Sequence, residues 1–333
     1  VKSEFPLWEA EMKIFIAGAS GAIGRRLVPL LVAEGHRVTA TTRTTDKLAA
    51  LRALGVDAVL VDGLNQEAVF RAVLAAAPEA IVHQMTALAS VRNLKNFDEQ
   101  FATTNRLRTE GAANLLAAAR AAGTRIFVAQ SYTGWPYERT GNRIKSEDDP
   151  FDPNPPISMR KSLAAIRALE EMVVGAKEVA GIVLRYGSFY GPGTSLSRDG
   201  EMVNLIRSRR LPIVGNGGGV WSFLHTDDAA QATRVAIARG IPGIFNIVDD
   251  EPAEVREWLP ELARLIGAKP PRHIPAWIAR MAIGEALVSM MTQMRGASNA
   301  KAKHMLGWQP QYASWRDGFA RCLADAPSLV RAA

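Results

Sequence analysis

"KIFIAGASGAIGRRLVPLL", residues 13–31, runs from an apolar segment through glycines at 18, 21 and 24 into a stretch with helical apolar spacing. Glycine allows a tight turn and a close backbone approach. A helix that opens behind such a turn offers unpaired N–H groups and the positive end of its dipole to a phosphate. A glycine motif alone says little, but one placed after a first strand and before an amphipathic helix reads as a dinucleotide loop formed by Gly18, Ser20, Gly21, Ala22, Ile23 and Gly24.

Working outward from the loop, short apolar runs near 37–42, 57–61, 80–83, 125–129 and 182–186 join the one at 13–17. Helical patterns near 22–34, 46–54, 65–77, 98–122 and 158–178 separate them. Strands alternating with helices of this length predict βαβ units and a Rossmann-type, doubly wound parallel sheet covered on both faces. Past Tyr190 the pattern breaks into the glycine-rich "GPGTSLSRDG" and "VGNGGGV", and 254–325 reads as mostly helical with prolines at 260, 270, 271 and 275. The expected division is a dinucleotide-binding domain of 12–190 and 222–249 with a smaller, mostly helical substrate-capping region of 191–221 and 250–333. Residues 1–11 read as a leader outside the fold.

The chain has 333 residues, 48% of them hydrophobic, so it can bury a large core. Its 40 Lys and Arg against 33 Asp and Glu leave a net charge of +7, but the basic residues are interleaved with acids rather than gathered on one arm. No nucleic-acid partner is expected. The single Cys322 excludes an internal disulfide or a CxxC motif, no apolar run approaches membrane-spanning length, and a metal site is not expected. A reduced, cytoplasmic setting fits.

The second strand ends "VTATTRTTDK". Neutral Thr42, followed by Arg43, stands where an acid usually holds the ribose hydroxyls of NAD, which favours the 2′-phosphate of NADP(H). Arg43 and Lys47 also read as solvated loop charges. "VDGL" closes the third strand with Asp62 and Gly63.

Four more stretches carry a resemblance: "IVHQMTA" at 81–87, "LRYGSFYGPG" at 184–193, "FLHTDDAA" at 223–230 and "LGWQP" at 306–310. With the GxxGxxG loop they cover residues 12 to about 319 in order, and the chain resembles the extended short-chain dehydrogenase/reductases, the NAD-dependent epimerase/dehydratase-like family. The resemblance implies that Asp62 meets the adenine amine, a strand-end cap being the alternative. It also implies that Met85 and Thr86 line the nicotinamide side, that Gly187, Ser188 and Phe189 pass near the nicotinamide, and that His225 and Asp227 lock the cap. It further implies a homodimer through the helices at 98–122 and 158–178.

The same resemblance puts Ser131 of "QSYTGWPYERTG" (130–141) at the family's substrate-polarising hydroxyl, with a loop-capping Ser as the alternative. The family's proton shuttle is a Tyr followed four residues later by a Lys, and the helix "ISMRKSLAAIRALEEMV" contains no Tyr. Aligning its acidic end places Leu163 and Arg167 at those two positions; shifting to Ser158 and Ser162 recovers no pair either. Arg167 remains a candidate for the ribose, although a guanidinium cannot relay a proton. Tyr132 and Tyr137 are the candidate donors, each also readable as an aromatic pocket wall.

Nucleotide-sugar enzymes of the family carry an Arg just before "FxHxxD" to grip a diphosphate, and here Trp221 stands in its place. Trp221, Trp135, Met85 and the Met-rich "MAIGEALVSMMTQMRG" suggest a small, fairly apolar ligand, with Arg295 able to meet an anion. An NADPH-dependent reductase of a carbonyl or a related C=N or C=C bond is expected, ahead of a cofactor-loaded redox sensor and an epimerase or dehydratase.

Overall fold

The computed structural model describes residues 11–88, 91 and 94–323, so most of the expected leader and the last residues of the cap lie outside it. Strands β1 (Lys13–Ala17), β2 (Arg37–Thr42), β3 (Asp57–Leu60), β4 (Ala80–His83), β5 (Ile126–Tyr132), β6 (Ala180–Tyr186) and β7 (Gly243–Ile247) form one seven-stranded sheet. Its order is β7-β6-β5-β4-β1-β2-β3, and every neighbouring pair is parallel. The chain reverses direction across the sheet between β1 and β4, and in such sheets the crevice beyond the strand C-termini at this point takes the ligand.

Helices α1 (Gly24–Ala33), α2 (Gln66–Ala76), α3 (Ala112–Ala122), α4 (Arg160–Val174) and α5 (Thr226–Arg239) cover the sheet. One face is packed by Leu27, Val28, Leu31, Ala229 and Ala236 of α1 and α5, the other by Val73, Leu115, Leu169 and Val173 of α2, α3 and α4. Side chains along β5 alternate between these two cores: Val128 belongs to the first, Phe127 and Ala129 to the second.

Two differences from the sequence pattern matter for the site. The apolar run of β5 stops at Ala129, yet its ladder with β6 continues through Gln130↔Leu184, Ser131↔Arg185 and Tyr132↔Tyr186. The strand therefore runs on past the apolar run, and Ser131 and Tyr132 point to opposite faces. Strand β7, not foreseen as a strand, opens on Pro242-Gly243 and buries Asn246, so its alternation is hidden. The stretch expected as one helix at 98–122 comprises turns at Phe97–Gln100 and Ala102–Arg106, a π turn at Leu107–Gly111, and α3.

A third core builds the cap on helices α6 (Val255–Leu265), α7 (Ala276–Ile283), α8 (Glu285–Thr292) and α9 (Trp315–Cys322). Its centre is aromatic, with Trp258, Phe223, Trp315 and Phe319 each at most 0% exposed. Phe223 meets Phe319 edge-on at 5.0 Å and Trp258 at 5.4 Å. Among the described residues no helix is long and apolar enough to cross a membrane, and no cluster of side chains could hold a metal ion.

Candidate active site

The three glycines of the opening loop do different work. Gly18 has φ +93°, and a Cβ there would lie 2.7 Å from the Gln84 carbonyl oxygen, so only glycine lets β1 close onto the end of β4. At Gly24 a Cβ would stand 2.3 Å from the Ala19 carbonyl oxygen, which fixes how closely α1 lies on its loop. Gly21 is exposed at the turn, and no side chain caps the start of α1 at Ile23. The loop is tied to β2: Gly18 N–H donates to Thr41 Oγ1 at 3.3 Å, Ala19 N–H to the Thr41 carbonyl at 3.0 Å, and Ser20 Oγ shares a 3.1 Å bond with Thr42 Oγ1. Backbone donors, an uncapped helix start and a glycine cradle are the donor set a dinucleotide pyrophosphate requires, so the residues present fit that group.

Arg43 follows on the exposed rim and pairs with no carboxylate among the described residues; Lys47 is half-buried nearby. Asp62 is exposed, and its Oδ1 accepts the Leu64 N–H at 3.0 Å, which is a strand-end turn. Gly63 has a steric reason to be glycine, because a Cβ there would fall 2.3 Å from Met85 Sδ. Met85 is thus turned inward over Gly63 and Gly111, while Thr86 is half-buried at the loop. His83, buried beside it, donates from Nε2 to the Leu107 carbonyl and accepts the Met85 N–H at Nδ1. Burial lowers its pKa to about 4, so the ring is neutral.

Ser131 does not face an open site. Its Oγ donates to Glu170 Oε1 of α4 at 2.6 Å, and Arg185 clamps the same carboxylate, Nε to Oε1 at 2.9 Å and Nη2 to Oε2 at 2.6 Å. Arg185 Nη1 also donates to the Tyr137 hydroxyl at 2.9 Å, which in turn donates to Asn246 Oδ1 at 2.8 Å. Tyr137, a candidate donor, is 1% exposed and bonded into this network.

Because Glu170 meets Ser131, the face of α4 toward the sheet end carries Ile166 and Ser162, one and two turns before it. Ser162 Oγ donates to Asp98 Oδ1 at 2.6 Å and accepts from Asn105 Nδ2 at 2.9 Å. The register through Leu163 and Arg167 does not hold. Arg167 is exposed, its guanidinium 5.8 Å from the Phe151 ring centroid, in a surface cleft of about 400 Å³ with Asp149, Glu171 and Val174. Glu170 and Arg185, the network behind Ser131, also line this cleft.

On the opposite face, half-buried Tyr132 shares a 3.1 Å hydroxyl bond with Ser188 Oγ and lies 6.4 Å from the Trp135 ring. Burial pushes its pKa upward, so its phenol stays protonated. Gly187 lets this strand end run close to the next, since a Cβ would sit 2.6 Å from the Ser222 carbonyl oxygen, and Phe189 packs on Tyr186 at 5.4 Å. Half-buried Trp135 meets Phe97 edge-on at 5.3 Å, and Phe97 stacks on Phe101 at 4.2 Å. Trp221, expected to face a ligand, is instead in the cap core: it is 6% exposed, donates Nε1–H to the Met290 carbonyl at 3.2 Å and packs on Trp258 at 5.1 Å. Arg295 donates to the Arg139 carbonyl.

His225 and Asp227 stand at the start of α5. His225 Nδ1 accepts the Asp227 N–H at 3.2 Å, and Asp227 reaches Arg26 of α1 at 3.2 Å.

Residues 14–247 match the NAD dependent epimerase/dehydratase family. The chain is 44% identical to a 3-diazoavenalumate denitrifying reductase from a Streptomyces species, over 93% of this chain and 100% of that protein. It is 27% identical to a 4-hydroxy-2-methyl-3-oxo-4-farnesyl-3,4-dihydroquinoline-1-oxide ketoreductase from Stigmatella aurantiaca, over 89% and 87% of the two chains. The structure of UDP-glucose 4-epimerase from Thermus thermophilus, complexed with NAD, superposes with a TM-score of 0.70 at 23% identity, covering 93% of this chain and 97% of that one.

Proposed function

We propose that this chain, which belongs to the NAD dependent epimerase/dehydratase family, is an NADPH-dependent reductase whose acceptor is a small aromatic diazo compound. The observation that carries the reading is the inward face of α4. Neither register implied by the resemblance, Leu163 with Arg167 or Ser158 with Ser162, supplies a Tyr and a Lys, and the Ser131 proton is directed to Glu170. A carbonyl reductase needs an acid at the reacting oxygen, and a diazo reductase does not. In the diazonium form the C–N bond breaks with its electron pair leaving on dinitrogen while hydride forms the new C–H bond. No proton enters the balance.

The cofactor, when bound, supplies the hydride. The chain's own residues do the rest: the loop from Gly18 to Gly24 and the start of α1 would hold the pyrophosphate, and Thr42 and Arg43 the adenosine end. Gly187 and the Tyr132–Ser188 hydroxyl pair would border the nicotinamide end, and Trp135 would exclude water. The diazo acceptor is also what the relative at 44% identity is named for.

One observation favours a carbonyl acceptor as a second reading: Tyr132 is a neutral phenol beside Ser188, able to give a proton. Tyr132→Phe separates the two. With 3-diazo-4-hydroxybenzoate and NADPH, followed at the reduced-cofactor absorbance against a protein-free control, turnover should stay within about threefold of the unmutated protein. A general acid contributes roughly 10²–10⁴-fold, so a loss of that size would instead assign Tyr132 as an obligatory donor and favour the carbonyl reading.

A further inference from the structure

Arg108 is a cation buried without a counter-ion. It leaves the π turn between Asn105 and α3 and is 9% exposed. Its one hydrogen bond runs from Nη1 to Asn105 Oδ1 at 3.2 Å, although the guanidinium carries five N–H donors. Among the described residues no carboxylate pairs with it. Its partner Asn105 in turn donates to Ser162 Oγ of α4 at 2.9 Å, which ties Arg108 to the helix face that also carries Glu170. Glu170 cannot neutralise it, because both carboxylate oxygens are already held by Arg185, with Ser131 adding a bond to one. Asp98 is likewise taken, by the N–H groups of Lys161 and Ser162 and by the Ser162 hydroxyl.

Glu170 is thus engaged by Arg185, and Arg108 has no bonded carboxylate among the described residues. An uncompensated buried charge is costly and calls for an anion. Burial lowers the pKa of Arg108 to about 10, which still leaves it charged at neutral pH. The nicotinamide ring and its ribose carry no anion, and the pyrophosphate would lie at the glycine loop, so the counter-ion falls to the acceptor. The segment that ends in Arg108 begins with Phe97 and Phe101, the wall on which Trp135 leans. Along its short turns Phe97, Thr104 and Arg108 are buried and Phe101 is half-buried.

We infer that Arg108 binds a carboxylate on the acceptor, so that the site takes aromatic acids in preference to their neutral analogues. This rests on the reductase reading above, and deepens it by naming the acid function. A guanidinium fork presents two parallel N–H donors that match a carboxylate, and it discriminates strongly against a neutral amide of the same shape.

The test is a binding experiment that needs no turnover. The NADPH-loaded protein is titrated by calorimetry at pH 7 with benzoate and with benzamide. Benzoate should bind roughly 10–100-fold more tightly. Arg108→Gln should erase that contrast and leave NADPH affinity within about twofold, and Arg108→Lys should restore part of it. Equal affinity of the two ligands for the unmutated protein overturns the inference, and this arm does not depend on any variant folding. A contrast that survives in Arg108→Gln overturns it too and moves the counter-ion elsewhere. Loss of NADPH affinity in a variant of unchanged thermal midpoint assigns Arg108 to the cofactor instead. Since no arm measures turnover, a failure here is distinguishable from a failure of the reductase reading.

Discussion

Glu170→Ala should lower the stability of the protein by about 3–5 kcal/mol, because it strands the Arg185 guanidinium, whose partner it is, in a pocket where both side chains are at most 5% exposed. The removal also frees the Ser131 hydroxyl. Glu170→Gln keeps the volume and some of the hydrogen bonds but not the charge, and should cost less. Ser131→Ala removes a single bond to a charged group and should cost only about 1.5–3 kcal/mol. Urea unfolding of the three variants gives the order directly. A loss under 1 kcal/mol for Glu170→Ala would mean that the buried network is looser than the geometry describes.

Arg43→Ala should remove most of the preference for NADPH over NADH. In the unmutated protein a charge-assisted bond to the 2′-phosphate, worth on the order of 1.5–3 kcal/mol, corresponds to roughly 10–150-fold in dissociation constant. Arg43 is exposed and free of any carboxylate partner among the described residues, so none of them competes with the phosphate for it. Thr42 on the same strand end is bonded to Ser20 and offers no negative charge to repel the phosphate. Fluorescence titration of both cofactors against both proteins decides the matter, and equal constants for NADPH and NADH in the unmutated protein would refute the assignment.

The glycine loop and the alternation of strands and helices were legible from local pattern, because tight turns and amphipathic periodicity are properties of a few adjacent residues. Ser131 was not. Its place in a strand depends on Arg185 and Glu170, which lie 54 and 39 residues away and supply the buried partners that let a polar segment continue the ladder. The register of α4 failed for the same reason: an acidic pair, Glu170 and Glu171, aligns equally well on either member, and only the contact with Ser131 selects the first. Trp221 read as a ligand wall because an indole at a site position looks available, whereas its N–H is satisfied by a carbonyl of the cap. Arg108 drew no attention at all, since an arginine within a helix is ordinarily solvated. Its burial follows from the π turn at Leu107–Gly111, which ordinary helical periodicity does not announce.

The central claim is that hydride, unaccompanied by a proton, replaces a diazo group, and isotope transfer measures it most directly. The protein is incubated with 3-diazo-4-hydroxybenzoate and NADPH carrying deuterium on both C4 positions of the nicotinamide, in ordinary water. Dinitrogen release is quantified alongside the 4-hydroxybenzoate formed. The account predicts one dinitrogen released and one NADPH oxidised per product, with one deuterium in the product, above a protein-free control. Product without deuterium, or no NADPH oxidation in the presence of the protein beyond that control, would contradict it.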